Sequence, residues 1–137
     1  MEKKDIALAQ LRRAIQLFEE NDFICATTLA GAAEEILGKL AMQRFGTNAL
    51  DQDVCFWEGM ADYFGKPAPE KKKIIDVLNR TRNELKHNDS GENLYVKADL
   101  ELEAQSLIDR AISNYLLAYS QAPKDEVIND YIGFHWL

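Results

Sequence analysis

Few side chains in this sequence can move protons near neutral pH. It has two histidines, His87 and His135, and imidazole is the side chain whose unperturbed pKa lies nearest neutrality. A catalytic histidine must therefore be one of the two. His87 closes the segment Asn79-Arg80-Thr81-Arg82-Asn83-Glu84-Leu85-Lys86-His87, which sets two guanidinium groups, an amide and a carboxylate close to the imidazole along the chain. Glu84-x-x-His87 is also half of the ligand set of di-iron carboxylate bundles. Such bundles need two of these motifs and two further glutamates; one motif falls short on ligand count, so no metal is expected. His135 adjoins Trp136 and reads as packing. Cys25 and Cys55 have no metal or redox spacing and read as reduced structural thiols. Glycine-rich phosphate loops, Cys/His zinc spacing and nucleophile-elbow motifs are missing from the sequence, and no cofactor is implied.

The remaining composition bounds the answer. A chain of 137 residues, 47% hydrophobic and 28% charged, suits one globular domain with a real core. No apolar run reaches the length of a bilayer span, and Met1-Glu2-Lys3-Lys4-Asp5 leads into a helical pattern without a secretory apolar segment. A cytoplasmic location and no membrane association are expected. The formal net charge of −7 counts against nonspecific nucleic-acid binding, which depends on neutralising phosphates, and DNA is not an expected partner. One stretch runs the other way: from Glu70 to His87 the bases Lys71, Lys72, Lys73, Arg80, Arg82 and Lys86 outnumber Glu70, Asp76 and Glu84.

Apolar periodicity places these residues on helices. Leu8, Leu11, Ile15 and Phe18 mark a helix from about 4 to 20. Asp22 can cap a second from about 23 to 45, with Ala26, Leu29, Ala33, Ile36, Leu37 and Leu40 inward and Gly46 as its left-handed stop. This second helix is rich in alanine and glycine, which lets a neighbouring backbone approach closely. Residues 54–64 suggest a short helix carrying Phe56, Trp57, Met60 and Tyr63. A third long helix spans Pro69 to about His87 on Ile74, Ile75, Leu78 and Leu85, and a fourth about 97 to 120 on Leu100, Ala104, Leu107, Ile108, Ala111, Tyr115 and Leu116. The expected fold is all-α: an antiparallel up-and-down bundle of four long helices, with the short extra helix near 54–64 and a packed C-terminal tail. It forms one domain over 1–137, with its core in 4–120 and an extension from 121 to 137.

The string Arg82-Asn83-Glu84-Leu85-Lys86-His87 resembles the signature of the HEPN superfamily: an arginine, a polar residue, and a histidine a few positions on, late in a helix of a small all-α bundle. Residues 21–35, with Asp22-Phe23 followed by alanines and Glu34-Glu35, look like that family's second helix. The resemblance covers roughly residues 4–120. Many members are metal-independent endoribonucleases, often toxins paired with a nucleotidyltransferase-type antitoxin and commonly homodimeric.

Carried onto this chain, the resemblance implies Arg82 and His87 as the active pair, Asn83 as the accompanying polar residue, and single-stranded RNA cleaved to a 2′,3′-cyclic phosphate. The residue types suit that chemistry. An imidazole can transfer the proton of a ribose 2′-hydroxyl, and a planar guanidinium can face the charge that builds on the phosphorane. Glu34 or Glu35 would orient the guanidinium, and Lys71, Lys72, Lys73 and Lys86 would steer RNA. On an ideal helix Arg82 and His87 lie roughly 140° apart, whereas Arg80, Asn83, Glu84 and His87 share one stripe. Hence the helix unwinds near His87 or two subunits complete the site; Arg80 is a second arginine at permissible spacing. The alternative is a non-catalytic binding module for a protein or nucleotide. In it Arg82 is a structural ion pair with Glu34 or Glu35, His87 a favourable cation at a helix end, and the lysines a solvated face.

Overall fold

The computed structural model describes residues 1–86 and 99–137, with the side chains of 81–86 outside that description. The described residues form six α-helices and no strand: α1 (Lys3–Glu19), α2 (Phe23–Phe45), α3 (Ala49–Tyr63), α4 (Lys71–Lys86), α5 (Leu100–Tyr119) and α6 (Glu126–His135). None is long and apolar enough to cross a membrane.

Local chemistry explains where the helices begin and end. Asp22 caps α2 by accepting the Cys25 N–H, which satisfies one of the orphan donors of the first turn. Asn21 before it takes the left-handed conformation, with φ 63°, which asparagine tolerates better than most residues. Gly46 ends α2 at φ 95°, its N–H bonded to the carbonyls of Ala41 and Met42. Asn48, Asp99 and Asp125 cap α3, α5 and α6 in the same way as Asp22.

Helix α2 is the central element and packs against both α1 and α5. Its buried face is built from Ala26, Ala30, Ala33, Leu37 and Ala41, together with Thr27, Gly31, Glu34 and Gly38. Leu29, Ile36 and Leu40, expected inside, are only half-buried. Small side chains take the closest approach to the neighbouring helices and push the leucines toward the flanks. Gly38 shows the limit: a Cβ there would stand 3.4 Å from the Asn114 side-chain nitrogen. From the facing helices, Leu11, Ile15, Leu107, Ile108 and Ile112 close the apolar core.

Two boundaries differ from the sequence expectation. Helix α3 starts at Ala49 rather than near 54, because Asn48 caps it and the Ala49 N–H donates to Asn114 Oδ1 at 2.7 Å. Helix α4 starts at Lys71, past Pro69. The C-terminal extension, expected as a packed tail, does pack and contains helix α6. Ile128 and Tyr131 of α6 are fully buried, and Arg12 of α1 meets the capping Asp125 at 3.4 Å. Cys25 and Cys55 are free and exposed, so they do not pack in the core as structural thiols. The Asp22 carboxylate, by hydrogen bonding and charge, pushes the Cys25 thiol above its ordinary range.

One carboxylate of α5 adds directional bonds to the apolar packing of α6. Asp109 Oδ1 accepts from Tyr131 Oη at 2.9 Å and from Trp136 Nε1 at 3.0 Å. Burial, reinforced by the Asp109 charge, holds the Tyr131 phenol far above its usual range, so it remains a donor at any physiological pH. His135 stacks on Tyr131 with centroids 4.3 Å apart and meets the edge of Phe18 at 6.0 Å, a packing role. Replacing Tyr131 with Phe should cost about 1.5–3 kcal/mol, the worth of a hydrogen bond to a charged acceptor. Urea unfolding of the two proteins checks this, and equal midpoints would contradict it.

Candidate functional site

Helix α4 carries Arg82 and Asn83 of the sequence motif, so the site begins with what holds α4. Across residues 71–80 its buried positions are Ile74 and Asn79. Asn79 meets a polar centre made by α2 and α5. Arg110 of α5 is 6% exposed and donates from Nη2 to Glu34 Oε1 at 2.9 Å and to Asn79 Oδ1 at 3.1 Å. Its Nη1 reaches the Leu78 carbonyl at 3.5 Å. Four residues further along α5, Asn114 donates to the Glu34 carbonyl at 3.4 Å and accepts from Ala49 N–H. The faces of α2, α3, α4 and α5 thus meet around two buried polar side chains of α5.

Such a centre is physically demanding. A buried carboxylate and guanidinium repay their lost hydration only if they pair closely and satisfy their other donors and acceptors. Arg110 Nε has no hydrogen-bond partner among the described residues. Asp53 of α3 lies near enough to interact electrostatically with Arg110 and Glu34. Burial raises its carboxyl above the usual range; the Arg110 charge opposes this shift and the Glu34 charge adds to it. Asp53 and Arg110 both line an open polar cleft of about 500 Å³ between α3 and α5, with Gln52, Gln105 and Ser106.

The expected site residues are distributed as follows. Arg82, Asn83 and Lys86 belong to α4, which is helical through Lys86; their side chains lie outside the described residues. His87 lies wholly outside them, as do the Glu84 side chain and any ligand set it would share with His87. In register, Arg82 follows Asn79 by three residues and Leu78 by four, so it stands one turn beyond the residues that bind Arg110. Arg80 is exposed. Glu34 is buried and bound by Arg110, whereas Glu35 is exposed and pairs with Lys39 at 3.9 Å. Of the expected steering lysines, Lys71 pairs with Asp51 at 3.5 Å, and Lys72 and Lys73 are exposed. Among the described residues no cluster of three His, Cys, Asp or Glu could hold a metal ion.

Arg110, Asn114 and Asn79 escape a reading based on apolar stripes alone. A usable signal exists: Arg110 and Asn114 continue the Leu107 row of α5 at three- and four-residue steps, and Glu34 continues the Ala30 and Gly31 rows of α2. A lone cation and a lone anion on two apolar faces predict each other. A second feature flanks α4. Trp57, Met60 and Phe64 of the α3 side face Ile74, Val77 and Leu78 across an apolar groove of about 580 Å³, with Lys66 and Lys73 also lining it. Trp57 is 53% and Val77 69% exposed.

The raised Asp53 carboxyl has a signed consequence. The folded protein holds this proton more tightly than the unfolded chain, so Asp53 favours folding at low pH. That contribution is lost as pH rises from its usual value of 3.8 through the higher folded value. Asp53→Asn should therefore raise the melting temperature relative to the parent at pH 7, and the difference should close near pH 3. Paired thermal melts test this; an asparagine variant less stable than the parent at pH 7 would contradict it.

Comparison of the chain with protein-family models, with curated proteins and with solved structures finds no match.

Proposed function

We propose that this chain is a HEPN-like, metal-independent endoribonuclease, toxin-like in character, that cleaves single-stranded RNA. One observation carries the reading: Arg82 and Asn83 lie late in α4, which is helical through Lys86, His87 follows in the sequence, and the described residues are all-helical apart from their connections. In this reading α1, α2, α4 and α5 are the four members of an antiparallel up-and-down bundle. His87 takes the proton from the ribose 2′-hydroxyl or returns one to the departing 5′-oxygen. The 2′-oxygen bonds to phosphorus, the bond to the 5′-oxygen breaks, and a 2′,3′-cyclic phosphate remains. Arg82 lies against the non-bridging oxygens and answers the charge that builds there, and Asn83 adds a polar contact. Lys72, Lys73 and Lys86 contribute long-range attraction for RNA on a molecule that is otherwise acidic.

The protein acts in the cytoplasm as a homodimer in this proposal, with a nucleotidyltransferase-type antitoxin as a further partner. Support for association comes from exposed apolar surface: Trp57 and Phe64 beside the α4 groove, and Phe134 at the end of α6. The same groove and the net charge of −7 favour a second reading, a non-catalytic HEPN-like module that binds a protein partner.

Incubation with single-stranded RNA in excess chelator separates the two. The parent should release fragments ending in 2′,3′-cyclic phosphate. His87→Ala and Arg82→Ala should each lose roughly 10²–10⁴-fold in rate, the usual worth of a positioned acid–base or charge-stabilising group. An inactive parent, or cleavage that survives both substitutions, would remove the nuclease reading.

A further inference from the structure

We propose that Arg110, through Asn79, is a positioning residue for the active segment of α4. This rests on the nuclease reading for its consequence in catalysis, but not for the clamp itself. The apolar attachment of α4 over residues 71–80 is small: Ile74 is buried, Ile75 and Leu78 are half-buried, and Val77 faces the groove, while Lys71 at its start pairs with Asp51 of α3 at 3.5 Å. Apolar burial is non-directional, so these apolar side chains secure the helix without fixing its rotation or its translation along the axis. Hydrogen bonds do both, because they demand a narrow range of distance and angle. The Arg110 guanidinium supplies them, reaching the Asn79 side chain at 3.1 Å and the Leu78 carbonyl at 3.5 Å, while Glu34 holds the same Nη2 at 2.9 Å.

The clamp lies close to the motif. Helical rise puts Arg82 about 4.5 Å beyond Asn79 along the axis, too short a span for the helix to absorb an error. A shift of Asn79 is passed on to Arg82 with little loss, and catalytic geometry loses about 100-fold for a displacement of about 1 Å. Arg110 touches no reacting atom in this scheme. It acts by holding the helix that carries those atoms.

The test uses the full chain and three proteins: the parent, Asn79→Leu and Asn79→Asp. In Asn79→Leu the guanidinium keeps Glu34 and the long bond to the Leu78 carbonyl but loses the Asn79 side chain, its shorter tie to α4; in Asn79→Asp a side-chain oxygen still faces Arg110. Amide hydrogen exchange is measured first, without RNA. Asn79→Leu should exchange its α4 amides about tenfold faster or more while α2 and α5 keep their protection, and Asn79→Asp should restore the parent pattern. Cleavage of single-stranded RNA should then show kcat lowered about 100-fold in Asn79→Leu with KM little changed, and recovery in Asn79→Asp. Unchanged α4 protection in Asn79→Leu overturns the proposal, whatever the enzyme does. Loosened α4 with an undiminished kcat overturns the positioning role. A parent without cleavage overturns the nuclease reading, and the exchange result still decides the clamp.

Discussion

A guanidinium removed from water must have its charge balanced and its donors met by the protein around it. Arg110 imposes that condition on three helices at once. It sits on α5, its counter-charge Glu34 on α2, and its neutral acceptors Asn79 and the Leu78 carbonyl on α4. A carboxylate alone would settle the charge but leave donors unmet, and amides alone would leave the charge. The two together make α4 part of the solution to a problem posed by the α2–α5 interface. That is how a helix with little buried apolar surface is held in register.

Small residues make the arrangement possible. Gly38 leaves room for the Asn114 side chain, which bonds the Glu34 carbonyl with its nitrogen and the Ala49 N–H with its oxygen. Thus Asn114 does for the start of α3 what Arg110 does for the middle of α4. The bundle splits by chemistry. On one side α1, α2, α5 and α6 pack through alanine, leucine, isoleucine and aromatic rings. On the other, α3 and α4 are tied by hydrogen bonds and leave an apolar groove open between them. Directional ties leave the outer faces of α3 and α4 available for a partner or substrate, which full apolar burial would have consumed.

The helices were legible where one face is apolar and the ends are marked. Leu11, Ile15 and Phe18 identify α1, and Asp22 and Gly46 bracket α2, because capping and left-handed turns depend on a few residue types. Other boundaries depend on tertiary contacts. The first turn of α3 forms where Asn114, 65 residues away, accepts the Ala49 N–H. Helix α6 forms where Asp109 receives Tyr131 and Trp136. The caps Asn48 and Asp125 mark these starts locally, but the contacts that hold them come from distant residues. On α2 Ala26, Ala33 and Leu37 of the expected inner face are buried, whereas Leu29, Ile36 and Leu40 lie at its flanks because close packing selects alanine and glycine for the rest of the interior. At the site, the expected partner of Glu34 or Glu35 was Arg82, whose side chain lies outside the described residues; Glu34 is bound by Arg110, a residue the apolar pattern did not single out. Arg82, Asn83 and His87 remain a motif of the sequence: register places Arg82 and Asn83 about one turn past the clamp, and His87 lies outside the described residues.

The clamp itself is most directly measured by a double-mutant cycle between Arg110 and Asn79. Glu34 is left without its counter-charge in both Arg110→Met and the double variant, so that cost cancels from the cycle. Stabilities of the parent, Arg110→Met, Asn79→Leu and the double variant, taken from urea unfolding, give the coupling free of each residue's separate burial cost. A coupling of about 1.5–3 kcal/mol, the worth of a hydrogen bond to a charged group, is predicted. Additive single effects, with coupling within about 0.3 kcal/mol of zero, would show that Arg110 does not hold α4 and would contradict the account at its foundation.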